Sequence, residues 1–132
     1  TLEGILNEAT TFEEFRQGTR MLSSISQAPG QRTGRLRRAY TIGASDTRPG
    51  LAAELAIAQR RLTEAITGMI ERAQDKGWIR RDLDAAAIAV FIQAYPLGRV
   101  VSDIDLQQVD PEAWLHLVFH VVESALLTNE TE

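Results

Sequence analysis

Asp110-Pro111-Glu112-Ala113-Trp114-Leu115-His116-Leu117-Val118-Phe119-His120-Val121-Val122-Glu123-Ser124-Ala125-Leu126-Leu127 is the stretch whose reading decides the fold. Asp110 is placed to cap a helix, Pro111 suits a first helical position, and Glu112 complements the positive end of the helix dipole. With residues spaced at about 100°, Glu112, His116, His120, Glu123 and Ser124 fall on one polar arc of about 120°. Trp114, Leu115, Leu117, Val118, Phe119, Val121, Val122, Ala125 and Leu126 fill the rest, an apolar arc about 200° wide. A surface helix of a single subunit hides a stripe of roughly 100° or a little more, so the excess calls for a partner.

The helix before it is as apolar. Asp84 is placed to cap a segment running from Ala85 to about Val101, whose only strongly polar side chains are Gln93 and Arg99. A helix apolar on nearly every side is expected to be covered on nearly every side. Pro96, beside Gly98, is expected to kink it by removing a backbone donor. Two such neighbours predict a symmetric homodimer in which each chain gives both helices to a four-helix bundle. The alternative is a monomer with both helices packed centrally under the earlier ones.

Outward from this pair the chain reads as all helix, with no sustained alternation of apolar and polar residues and no hairpin turn. Leu2, Ile5, Leu6 and Ala9 keep helical spacing. Thr11-Phe12-Glu13-Glu14 opens a helix over about 11–26 with a capping box, and its Gly18 allows a neighbour to approach closely. Pro29-Gly30 ends it. A short helix is expected at 33–44, broken by 46–49, with Pro49 starting a long helix to about Lys76. Leu51, Leu55, Ala58, Leu62, Ala65, Ile66, Met69 and Ala73 form its expected apolar stripe, and Gly77 its C-terminal cap, with Trp78 or Ile79 folding back. The expected architecture is one all-α domain over residues 1–132, a bundle of about six helices.

Composition sets the limits on function. The 132 residues are 44% apolar, carry a net charge of −4 and contain no cysteine, which excludes disulfide scaffolds, zinc ribbons and thiol nucleophiles. A chain of this size buries enough surface to fold without a structural metal. Residues 1–50 hold seven Arg against five acids, whereas residues 51–132 hold seven basic groups against thirteen acids, so any basic surface lies in the first half. The overall charge argues against this chain wrapping nucleic acid unaided. No apolar run is read as reaching the roughly 18 residues of a spanning helix, and the expected setting is soluble and cytoplasmic, with no membrane partner.

From Leu62 to Leu127 the sequence resembles the C-terminal, ligand-binding and dimerisation domain of TetR-family transcriptional regulators. The resemblance is carried by the long helix, the turn Asp75-Lys76-Gly77-Trp78-Ile79-Arg80-Arg81-Asp82-Leu83-Asp84, the Ala85-Ala86-Ala87 helix start, and Asp110-Pro111 opening a last apolar helix. Residues 1–50 match only in the spacing and order of helices. The family's helix-turn-helix head does not appear in this sequence, so the resemblance implies that residues 1–9 are the tail of a helix joining a head to this domain and that Thr1 is where a truncated or partly ordered chain begins. It implies further that operator DNA is contacted only through such a head, and that a small-molecule effector shifts dimers between DNA-competent and incompetent states as a repressor.

The expected interface residues are Val100, Trp114, Leu117, Val118, Val121, Val122 and Ala125. The expected ligand pocket, for a small and largely apolar effector, is lined by Phe15, Met21, Leu22, Tyr40, Leu62, Ile66, Met69, Trp78, Phe91 and Tyr95. For any one of these residues plain core filling is the competing account. Gln93, Arg99 and the tyrosine hydroxyls are available to orient a ligand. His116 and His120 have the i, i+4 spacing that brings two imidazoles to one metal, yet lack the carboxylate-rich second helix of di-iron bundles, so they read as a solvated stripe and no metal is expected. Arg32, Arg35, Arg37 and Arg38 are equally read as a solvated face. Neither catalytic residues nor a cofactor are expected, because the inventory holds no Cys, only two His on one helix, no Gly-rich phosphate loop and no Gly-x-Ser-x-Gly motif, and its acids lie mostly at helix ends where they serve as caps. A helical interaction module without a ligand, and a metal-binding four-helix enzyme, are the alternatives.

Overall fold

The computed structural model describes the backbone of residues 2–128 and the side chains from residue 4 onward. Thr1 and the Leu2 side chain, which entered the reading of the first helix, lie outside the described residues. The chain is all-α: α1 (Leu2–Glu8), α2 (Phe12–Gln27), α3 (Arg32–Ala44), α4 (Pro49–Asp75), α5 (Ala85–Gly98), α6 (Val100–Asp103) and α7 (Pro111–Leu126), with single 3₁₀ turns at Pro29–Gln31 and Ser45–Thr47.

Local chemistry sets the ends of these helices. At α2, the Thr11 hydroxyl accepts from the Glu14 N–H while the Glu14 carboxylate accepts from the Thr11 N–H, satisfying two donors that a bare helix start leaves unpaired. Asp84 accepts from Ala87 N–H at 2.7 Å and Asp110 from Ala113 N–H at 3.1 Å, capping α5 and α7. Gly77 adopts φ 76°, and the N–H groups of Trp78 and Gly77 donate to the carbonyls of Ala73 and Gln74, a Schellman turn that stops α4. The Arg81 guanidinium adds two bonds to the terminal carbonyls of Gln74 and Asp75.

α4 is the spine. α5 packs along it, α2 bridges to both α5 and α7, and α3 lies against α6. The core gathers Leu6, Ala9, Phe15, Ile70, Ala73, Ile79, Ile88, Leu126 and Leu127, with Phe12, Leu22, Ile66, Met69, Trp78, Ile92 and Val122 packed around it. It therefore sits against the second half of α4. Gly18 is buried where a Cβ would stand 2.8 Å from Leu6 Cδ2, so α1 rests on α2 at the distance its missing side chain permits.

Several expectations require correction. The buried line of α4 is Thr63, Ile70 and Ala73, whereas Leu62, Ala58 and Ala65 are exposed; the helix is rotated so that Thr63 meets Gln93 of α5 at 3.2 Å and Gln59, which also bonds Gln93 at 2.8 Å. The segment 85–101 is not one helix: it breaks at Arg99, whose N–H donates to the carbonyl of Pro96 in an i to i+3 turn, three residues after the proline and directly after Gly98. Ala85–Asp103 is nonetheless long and apolar enough, at mean hydropathy 1.4, to cross a membrane by length and composition, contrary to the sequence reading. Its Arg99 and Asp103 are both buried inside the protein. Finally, Ile79 and Leu127 form one antiparallel bridge: Arg80 N–H donates to Leu126 and Thr128 N–H to Trp78, both at 3.0 Å, strapping the end of α7 to the turn after α4.

Candidate functional site

The ten residues expected to line a pocket are not gathered around one cavity. Phe15, Met69 and Trp78 share a cleft of about 320 Å³ with Leu6, Asn7, Arg72 and Lys76, directly beneath α1. Phe15 and Trp78 stack there with ring centroids 5.3 Å apart, and the Lys76 ammonium sits 4.5 Å from the Trp78 ring. Arg72 donates to the Asn7 side chain at 3.1 Å, so the same cleft holds α1 to α4. Ile66 and Leu22 pack against the adjoining core. Leu62 lines a separate groove of about 480 Å³ between α3 and α4, and Tyr40, 74% exposed, lines a shallow depression along α3. Met21 and Phe91 are exposed. Tyr95 is turned inward, its hydroxyl 3.1 Å from Ser23 Oγ and its ring beside Phe91; burial pushes the phenol above its usual range.

The interface residues divide in a different way. Val118 is 5% exposed in the single chain, Val122 packs on the core, and Trp114 is half-buried with its Nε1–H donating to Gln27 at 2.6 Å. These side chains are used inside the subunit, and Val100 is half-buried as well. Leu117, Val121 and Ala125 remain outside, and on α5 so do Ala86, Ala87, Val90, Phe91 and Ala94. α5 is thus not covered on nearly every side. The excess apolar surface is real, but it is narrower than the helical arc, because α2 covers one flank of α7.

The polar arc of α7 also needs correction. His116, His120 and Ser124 face outward, whereas Glu123 turns under α2 and receives the Arg20 guanidinium through two bonds, one of them Nη2 to Oε2 at 2.9 Å. Hydrogen bonding from Arg20, with the charges of Arg20 and Arg16, holds the Glu123 carboxyl below its usual range. Among the described residues no group of three His, Asp or Glu side chains stands close enough to share a metal ion.

The arginines of α3 contain the feature that sequence reasoning missed. Arg37 and Arg38 are exposed as expected, but Arg35 is 7% exposed and clasps Asp103 of α6, Nε to Oδ2 at 2.7 Å and Nη2 to Oδ1 at 2.9 Å. Arg35 Nη1 also donates to the carbonyls of Ser26 and Ala28, while Arg32 donates to the Asp103 carbonyl. The Arg35 bonds, then the charges of Arg35, Arg99 and Arg32, hold the Asp103 carboxyl below its usual range. Helical spacing cannot separate Arg35 from its neighbours; only the partner, 68 residues away, selects it. Beside this cluster opens a cleft of about 580 Å³ between the α5–α6 break, the 104–109 loop and α7, lined by Arg99, Ser102, Val101, Val109 and Trp114 among others.

Comparison with known proteins returns no match: no family model, no curated protein and no solved structure is significantly similar to this chain.

Proposed function

We propose that this chain is the effector-sensing and dimerising part of a TetR-like transcriptional repressor, a homodimer acting in the cytoplasm. The single observation that carries the reading is the uncovered apolar surface of α5 and α7, where Val90 is 55% and Leu117 51% exposed. Exposed apolar residues are common singly, but here they recur along two helices that share one core, which is where a second copy would complete a four-helix bundle. The cleft that unites Phe15, Met69 and Trp78 supports effector sensing, because it lies under α1, the helix through which a DNA-reading head would be joined. A ligand there changes the seat of α1, and it shifts a dimer between two states only by binding them unequally.

The test is sedimentation of Leu117→Glu and Val121→Arg, two positions open in the subunit and so tolerant of charge. The wild-type chain is expected to run as a dimer and each variant as a folded monomer. A wild-type monomer at high concentration, or a dimer untouched by both substitutions, defeats the reading.

A further inference from the structure

The cleft between the α5–α6 break and α7 has the chemistry of a carboxylate site. Arg99 is 6% exposed, yet its side chain makes no hydrogen bond to any described residue, and its Nε is fully buried without a partner. The guanidinium carbon lies 6.0 Å from the centre of the Trp114 ring. Asp103, the nearby acid, is engaged at both oxygens by Arg35, and the charges of Arg99 and Arg32 act on it without a bond to its carboxylate. Burying a cation without a counter-charge or acceptor is costly, and such a group persists where something else completes it.

Two further orphans stand with it. Ser102 Oγ is buried and unpartnered on the wall of the same cleft, and Gln27 Nε2 is buried and unpartnered behind Trp114, whose indole N–H the Gln27 oxygen accepts. The remaining walls include Val101 and Val109, and the cleft volume of about 580 Å³ falls within the range of small-molecule sites. The planar guanidinium fork of Arg99 matches a carboxylate, and the apolar walls match a short hydrocarbon body. Asp105 also lines the cleft, its Oδ1 accepting from the Gln107 N–H at 3.0 Å, and its charge disfavours an anion with more than the one carboxylate that Arg99 receives.

We infer that this cleft binds a small monocarboxylate, its oxygens on Arg99 and Ser102 and its apolar body against Trp114, Val101 and Val109. The site is distinct from the cleft beneath α1, and it stands whether or not the chain belongs to a regulator.

The probe is hexanoate, with 1-hexanol as its uncharged counterpart, each titrated at millimolar concentration into ¹⁵N-labelled full chain. The two indole N–H signals report separate places, Trp114 in the cleft and Trp78 under α1. Hexanoate is expected to shift the Trp114 signal and leave Trp78 in place, with 1-hexanol binding about tenfold more weakly, the size of one charge-assisted bond. Arg99→Gln should erase the preference for hexanoate while its amide spectrum away from the cleft stays that of the folded wild type. Ser102→Ala, a smaller change that keeps the fold, should weaken hexanoate severalfold. Equal responses to acid and alcohol, no movement of Trp114, or undiminished hexanoate binding by Arg99→Gln each overturn the inference. Loss of dimerisation in Arg99→Gln without any hexanoate effect also overturns it, by assigning Arg99 to a contact between copies. Sedimentation of the wild-type chain tests the dimer separately, so the two proposals fail independently.

Discussion

Arg35 and Asp103 show how much one pair of residues decides. Their ion pair is nearly sealed from water, at 7% and 4% side-chain exposure, and it joins α3 to the short helix that follows the α5 break. Removing one partner leaves an uncompensated charge inside the protein, so Asp103→Asn and Arg35→Met are each expected to cost about 3–5 kcal/mol in denaturant unfolding. Exchanging both for apolar residues should cost much less than the sum of the singles. Acid adds an independent check. Because the Asp103 and Glu123 carboxyls are depressed in the folded chain, their stabilisation is complete above the ordinary carboxylate range and is lost as pH falls through their lowered values. Unfolding midpoints are therefore expected to hold down to about pH 5 and decline below it. In Asp103→Asn the decline should be shallower. Nothing in the α3 sequence distinguishes Arg35 from Arg37 or Arg38, since helical spacing fixes the direction of each side chain relative to the others and not which direction meets an acid.

At the scale of the element, the helix ends were the most legible part of the chain. Capping depends on residues within a turn of one another, so Thr11 with Glu14, Asp84, Gly77, and Asp110 with Pro111 could be recognised before any packing was known. Gly77 is the position where this chemistry is least replaceable, since its φ of 76° lies in the left-handed region. Gly77→Ala is expected to destabilise by about 1 kcal/mol in thermal or urea unfolding, with Gly77→Val costing more because its side chain branches at Cβ. An alanine variant as stable as wild type would remove the Schellman turn from the account of how α4 stops. The stripe of α4 was less legible. Its leucines and alanines suggested one face, but the buried line runs through Thr63, whose hydroxyl is satisfied by Gln59 and Gln93. A polar residue with one partner, here Gln93, on another helix looks like surface until that helix is in place. The same holds for the break at Arg99: Pro96 and Gly98 announced a weakness, but not that the chain would turn at Arg99 and continue as a separate short helix with Arg99 and Asp103 buried.

For the whole molecule, the uncovered faces of α5 and α7 make association a stability question. A dimer that hides them binds folded chains only, so mass action ties melting to concentration. The melting temperature is expected to rise by a few degrees when protein concentration is raised a hundredfold, an effect that Leu117→Glu should abolish. A concentration-independent melt would mean that these side chains stay in water. The sequence by itself determined the all-α class, the capped ends of α2, α4, α5 and α7 at Thr11, Gly77, Asp84 and Asp110, and the surplus of apolar residues in the last two long helices, because these follow from contacts within a turn or from period and composition. The tertiary structure alone decided which part of that surplus remains exposed, that the ten candidate pocket residues scatter over clefts, core and open surface, and that Arg35 meets Asp103. Each of those outcomes depends on groups tens of residues apart along the chain, and one helical period is compatible with many rotations and many neighbours until packing selects among them.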